Sequence, residues 1–248
     1  MLRSLSHRVV AAAVHPPMPA TWLVVPFRQR LPQLQALLPA LLARHAGPVL
    51  VCEQSDGPQP FNRGWCKNVG FQLTGARGAD TVYFHDVDVL PGPGLVRYPP
   101  ARPGAARHLY GHSHCLGGVV GMTADDFARV NGFVNDRWRW GGEDRLLQLA
   151  CQRAHIAIER RAPAWCRRWG NDAYVQEMAA DGRPLAGVDA ARQFQAEIAS
   201  GAKVPERLAL DRCPRGHLDT TAWTVVSLRR QGPDERVRWA VVAPAEDG

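Results

Sequence analysis

Lysine is almost missing from this chain. Of its 30 basic residues only Lys67 and Lys203 are lysine, so 28 arginines carry a formal net charge of +7 against 23 acids. Arginine's planar fork donates two parallel hydrogen bonds, which suits phosphate groups, although abundant Ala, Gly and Pro also give the composition of a high-GC bacterial genome. Nucleic-acid binders gather arginines among aromatics. Here the arginines are spread along the chain, so nucleic acid is not the expected partner and a diphosphate is the more economical one. Long apolar runs are missing too: stretches such as Leu37–Ala43 fall far short of the ~20 residues a membrane span needs, and no transmembrane segment is expected. Near the start, the Val9–Val14 patch is short for a signal peptide and is broken by His15-Pro16-Pro17. Residues 1–20 therefore read as a flexible leader, for which peripheral membrane contact is the most that would be expected. The six cysteines form no CxxC pair and show no zinc-ligand spacing. Small buried thiols in a reducing compartment, and hence a cytoplasmic location, are the expectation.

What is present is an ordinary globular composition, 46% hydrophobic over 248 residues, enough for a real core. Apolar strands are expected at Thr21–Pro26, Pro48–Cys52, Thr81–Phe84, Val119–Met122 and Ile156–Arg160. Helical patterns fall at Leu31–His45, Phe61–Leu73, after Thr123 through Val130, and at Glu143–Ala154. A Pro/Gly/Arg-rich loop is expected from Pro91 to about Arg107. Further on, a helix near Val188–Ala199 and strands near Ala222–Leu228 and Val237–Val242 are less legible. Alternating strands and helices imply an α/β sheet. The expected organisation is a catalytic core over 21–170, with 171–248 as an extension packing on it and a candidate acceptor-binding region.

Two segments carry chemistry. Asp86-Val87-Asp88 follows the apolar strand Thr81–Phe84, at the carboxyl end where open α/β sheets hold ligands. Two carboxylates one residue apart suit a hard cation such as Mn²⁺ or Mg²⁺, which takes oxygen ligands and shares them with substrate phosphates. Phosphatases of the haloacid-dehalogenase type use a similar string with the first Asp as nucleophile. They also need a downstream lysine with an acidic pair, and Lys203 has no such pair beside it. In Trp138-Arg139-Trp140-Gly141-Gly142-Glu143-Asp144, the glycines allow close backbone approach, Trp140 offers a face on which a sugar can stack, and the two acids open a helix. There the dipole favours an ionised carboxylate that can act as a base. A glycosidase pair is a poorer reading, because adjacent helical residues point about 100° apart whereas glycosidase carboxylates face one another at roughly 5–9 Å.

Taken together, several strings resemble the β-1,4-galactosyltransferase family of metal-dependent GT-A enzymes. They are Val25-Pro26-Phe27-Arg28-Gln29-Arg30, Phe61-Asn62-Arg63 with Asn68-Val69-Gly70-Phe71, Asp86-Val87-Asp88 with Pro91, Gly117-Gly118-Val119, Asn131-Gly132-Phe133, and Trp140–Asp144. The resemblance runs from about residue 24 to 160 and implies a bacterial member with a GT-A fold, a Rossmann-like mixed sheet flanked by helices. It implies an inverting transfer of a sugar, galactose or N-acetylgalactosamine favoured, from a UDP-sugar to a glycan, lipid-linked or small-molecule hydroxyl acceptor. Pro26, Phe27, Arg28, Arg30, Phe61, Arg63, Asp86, Val87, Asp88, Gly118, Trp140 and Gly142 would hold the nucleotide-sugar. Asp88, with Asp86, would hold Mn²⁺ or Mg²⁺. Asp144 would be the catalytic base, with Glu143 beside it at the junction of donor sugar and acceptor.

The chain departs from that pattern at one place. Where the family has a Met-x-x-His stretch of further metal ligands, this chain has Cys166-Arg167-Arg168-Trp169. Trp169 cannot ligate a metal, so His217 or His155 would have to serve, or arginine would replace some of the charge. A silent sugar-nucleotide or glycan-binding protein of the same fold is the alternative this departure favours. His108, His112 and His114 read as loop residues.

Overall fold

The computed structural model describes residues 18–111, 113, 115–138, 142–160, 166–168, 216–231 and 235–245. Ten strands, β1 Thr21–Phe27, β2 Val49–Gln54, β3 Thr81–His85, β4 Val89–Pro91, β5 Ala105–Tyr110, β6 Val119–Thr123, β7 Ala157–Arg160, β8 Cys166–Arg168, β9 Trp223–Gln231 and β10 Val237–Pro244, combine with four helices. The helices are α1 Leu31–Leu42, α2 Arg63–Thr74, α3 Ala124–Arg129 and α4 Glu143–Arg153. Eight strands form one mixed sheet in the order β7-β5-β6-β3-β1-β2-β10-β9, and β4 with β8 forms a separate ribbon. Within the sheet β6 and β9 run antiparallel to their neighbours, while β1, β2, β3 and β10 run parallel. Their carboxyl ends therefore open on one edge, as a ligand-binding α/β sheet requires.

The central strand β1 is apolar because both its faces are covered. Leu23, Val25 and Phe27 pack with Leu34, Leu37 and Leu41 of α1, whereas Val24 faces a second cluster with Phe84, Phe127 and Phe133. Each of the three buried α1 leucines contributes about 1.5–3 kcal/mol by leaving water. On the Val24 side α2 lies against the sheet so tightly that a Cβ on Gly70 would come within 2.4 Å of Val24 Cγ1. Asn62 starts α2 by accepting a hydrogen bond from Trp65 N at 2.9 Å, and Thr123 caps α3 the same way through Asp126 N.

Some boundaries differ from the sequence expectation. α1 stops at Leu42 rather than His45, with Pro39 inside its last turn, where the ring removes a bond to Gln35 O. β5 begins at Ala105, inside the stretch expected to remain a loop to about Arg107, and the three-residue strands β4 and β8 were not expected. β9 and β10, from the region beyond residue 170, supply two of the eight strands of the main sheet. The expected Val188–Ala199 helix lies outside the described residues. Among the described residues no helix is long and apolar enough to cross a membrane.

Candidate active site

At the carboxyl edge of the sheet the chain turns sharply after β3, and a charged cluster forms between that turn, α2 and the start of α4. Arg63 and Lys67 stand four residues apart on α2, so they share one helix face. Arg63 Nε donates to Glu143 Oε1 at 2.6 Å, and its Nη2 pairs with Asp144 Oδ2 at 2.9 Å and also with Glu143. Its Nη1 lies 3.5 Å from Asp86 Oδ2. Lys67 Nζ sits between Asp86 Oδ1 at 3.2 Å and Asp144 Oδ1 at 3.1 Å. Two cations thus hold three carboxylates from two distant parts of the sequence in one place. Asp88, two residues on, faces Arg30 at 3.5 Å.

The charges follow from these neighbours. Burial by itself would strip Lys67 of its proton, but Asp144 and Asp86 more than reverse this and its pKa is raised, so it stays an ammonium. Burial likewise works to raise the pKa of Asp86, yet Lys67 and Arg63 overturn it and hold the carboxyl well below the usual range. Glu143 goes the other way: burial raises its pKa despite Arg63, and the neighbouring Asp144 charge adds to the rise. Each Asp144 oxygen accepts from one cation and keeps a second lone pair, so an ionised Asp144 retains acceptor capacity. Asp144 packs directly against the Gly117 backbone, since a Cβ on Gly117 would lie 2.6 Å from Asp144 Oδ2.

Backbone geometry fixes this arrangement. Asp86 N donates to Gly118 O at 2.8 Å and Gly118 N returns a bond to Asp86 Oδ2 at 3.2 Å. Gly118 has φ +80°, and a Cβ there would meet Tyr110 O at 2.5 Å, so only glycine fits. Gly142, the residue before α4, has φ +96° and likewise calls for glycine. The loop leading to α4 is pinned by α2: Asn68 accepts from Phe133 N at 2.9 Å and donates to Phe133 O and Asn135 Oδ1.

The sequence-derived candidates distribute as follows. Arg30, Arg63, Asp86, Asp88, Gly118, Glu143 and Asp144 come together. Pro26 and Phe27 are buried at the end of β1, with Phe27 edge-on to Trp239 at 5.6 Å. Arg28 reaches away from the carboxylates and ties down the loop before α2, donating to Gln59 O at 2.6 Å and Gly57 O at 3.0 Å. Phe61 packs half-buried with Trp65, and the Val87 side chain lies in the core. Trp140 lies outside the described residues. His217 takes part in a different network: its Nδ1 accepts from Asn135 N at 2.9 Å, and its other described partners are Phe133, Thr220 and Thr221. His155 follows α4 with φ +54°, at its far end from Asp144. Sequence reading missed the place of Lys67, although its i, i+4 spacing from Arg63 was visible, and it missed the close packing of Asp144 on Gly117.

A hard cation would find oxygen donors here. Asp86 has Oδ2 committed to Gly118 N and both oxygens facing cations, so Asp88 is the carboxylate better placed to ligate, and phosphate oxygens would complete the shell. Among the described residues no three His, Cys, Asp or Glu side chains gather as a ready-made metal site. β8 pairs Arg168 with Val89 and Cys166 with Pro91, which places the departing Cys166–Arg168 stretch directly beside the Asp88 turn. Cys166 itself is buried in the core, and burial pushes its thiol up to about 12. It is therefore not available as a thiolate ligand. His85, fully buried, is held neutral, its pKa lowered by burial to about 4.

Known proteins with the same features fit this geometry. Residues 105–168, which contain β5, β6, α3, α4 and β8, match the family described as N-terminal domain of galactosyltransferase. Beta-1,4-galactosyltransferase 5 of Sus scrofa is 36% identical over 157 residues, 56% of this chain and 39% of that protein. Xylosylprotein 4-beta-galactosyltransferase of Caenorhabditis elegans is 31% identical over 137 residues, 49% of this chain and 46% of that protein. The chain thus spans less than half the length of these curated relatives. A Drosophila β-1,4-galactosyltransferase 7 variant, solved with manganese, UDP-Gal and xylobiose, superposes with a TM-score of 0.67 at 21% identity, covering 92% of this chain and 95% of that one. The fold is that of the GT-A galactosyltransferases, and in sequence the chain is related to the β-1,4-galactosyltransferases.

Proposed function

We propose that this chain is an inverting glycosyltransferase that moves a sugar, galactose or N-acetylgalactosamine favoured, from a UDP-sugar to a hydroxyl of a glycan, lipid-linked or small-molecule acceptor. The observation that carries the reading is the meeting of Asp86 from the end of β3 and Asp144 from the start of α4 on one ammonium, each within 3.2 Å of Lys67 Nζ. Asp88 lies two residues after Asp86 at the same strand end, and this reading assigns it to the same site. Inversion needs a single base on the acceptor side, and Asp144 answers that need: each of its oxygens accepts from one cation and has a lone pair left for the attacking hydroxyl. Arg30 and Arg63 supply positive charge on the donor side, where a diphosphate would lie. A divalent ion, Mn²⁺ or Mg²⁺, held by Asp88 and the diphosphate would neutralise charge on the departing UDP. We place the action in the cytoplasm, in keeping with the cysteine usage.

Incubation with a panel of UDP-sugars and Mn²⁺, followed by mass detection, is expected to show slow UDP release by transfer to water from one or two donors. UDP-dependent thermal stabilisation without release from any donor would establish the silent binder instead. A second test probes the placement of the base. Gly117 is not among the positive-φ glycines, so its backbone accepts alanine, but the added methyl would sit 2.6 Å from Asp144 Oδ2 and push that carboxylate aside. Gly117→Ala is expected to lower kcat by about 10²-fold, at the lower end of what a general base contributes, with UDP affinity unchanged. An unaltered kcat would mean that the position of Asp144 is not critical to transfer.

A further inference from the structure

A second concave feature lies at the opposite, amino-terminal edge of the sheet. It is a cleft of about 480 Å³ between the end of α1, the start of β1, the segment before β10 and residues 96–98. Arg44, Arg97 and Arg236 all line it. Among the described residues none of the three pairs with a carboxylate: Arg44 donates to Ala40 O, Arg236 to His45 O, and Arg97 extends exposed. Nearby acids are engaged elsewhere. Asp80 accepts from the backbone of Ala20 and Arg77, and Glu235 pairs with Arg230.

Buried polar atoms in folded proteins almost always find a partner. Beneath the cleft, His45 Nε2, Tyr98 Oη and Arg236 Nε, all on residues that line it, are shut off from solvent and make no hydrogen bond. The His45 ring lies near backbone groups of Thr21 and Pro48, yet its Nε2 makes no bond in proper geometry. His45 and Tyr98 are over nine-tenths buried and stack edge-on at 5.8 Å, so both are held rigidly. Gly47 is packed close against the His45 ring: a Cβ on it would strike that ring at 2.8 Å and Thr21 O at 2.6 Å. The carboxyl end of α1 brings roughly half a negative charge to the rim, which three guanidinium groups outweigh.

We propose that this cleft binds a phosphate-bearing anion, separately from the charged site at the other edge of the sheet. Arginine forks suit the oxyanion, and Arg44, Arg97 and Arg236 bring three of them to one cleft. The phosphate could be a soluble phosphate or a lipid headgroup, and one set of titrations separates them. The full chain is titrated with inorganic phosphate against sodium chloride at matched ionic strength, and, in parallel, mixed with phosphatidylcholine vesicles with and without phosphatidic acid. Arg97→Glu, at an exposed position without described contacts, and Arg236→Gln are run beside it. Saturable phosphate binding that weakens at least tenfold in Arg97→Glu identifies a soluble ligand. Phosphatidic-acid-dependent vesicle binding lost in the same variant, with only weak binding of free phosphate, identifies a membrane headgroup. No saturable binding in either arm, or binding unchanged in both variants, overturns the proposal.

Discussion

Asp144→Asn is expected to cut kcat by about 10³-fold, within the 10²–10⁴ that a positioned general base contributes, while UDP binding stays within a few-fold of the parent. The asymmetry follows from where Asp144 sits. It opens α4 and faces Arg63 and Lys67, while Asp88 pairs with Arg30. Asparagine keeps the shape and one acceptor oxygen but cannot take a proton. Because its amide group would also face one of the two cations, the melting temperature is measured alongside. The readouts are the UDP dissociation constant and single-turnover transfer with the donor found by the panel. Equal loss of UDP affinity and transfer would remove Asp144 from the role of base and assign it to holding the nucleotide.

The second large effect concerns folding. Lys67→Met keeps most of the aliphatic stem but leaves Asp86, Glu143 and Asp144 with Arg63 as their remaining close cation. Removing one partner of a buried ionic cluster costs about 3–5 kcal/mol, a large share of the roughly 5–15 kcal/mol that holds a domain folded. The cost should depend on pH in a defined direction. Burial would raise the Asp86 pKa, but Lys67 foremost and Arg63 next depress it below its ordinary 3.8. Its share of the stability is therefore present above that pH and lost as pH falls towards the lower folded value. Lys67's own raised pKa affects stability only at the alkaline end, above its ordinary 10.5. Urea unfolding at pH 7, 5 and 3 should show a wide gap between parent and variant at the first two and a narrower one at the third. A variant as stable as its parent at pH 7 would show that the ammonium is dispensable to the fold.

These predictions centre on a residue whose sequence context gave little away. A lone lysine inside a helical pattern reads as solvent-facing, and only the tertiary approach of Asp86 and Asp144 makes it buried and doubly paired. Residues whose roles are local were legible. The Thr123 cap, the strand ending at the acidic turn and the helix opened by Glu143 and Asp144 depend on neighbours a few positions away. The same holds for the glycines: Gly118 and Gly142 stand where backbone dihedrals demand them. β5 was hidden because Arg107 and His108 break its apolar pattern while the fold buries His108 against Gly117 O at 2.8 Å. The ribbon of β4 and β8 was hidden because three residues carry no periodicity. The bonds from Arg28 to Gln59 O and Gly57 O also depend on the fold, and its place in a resembling string did not reveal them. His217 was reachable in sequence terms and far from the acidic turn in its bonding.

One topological detail bears on how the chain comes to be folded at all. β10 lies beside β2, so that Val49 aligns with Val237 and Gln54 with Val242. During synthesis, β2 must wait with one of its hydrogen-bonding flanks unclothed until nearly two hundred further residues have left the ribosome. Such distant pairing slows the approach to the native state, and an uncovered apolar strand invites other chains to pair with it. Nascent or truncated forms ending before β10 are thus the ones that would need a chaperone.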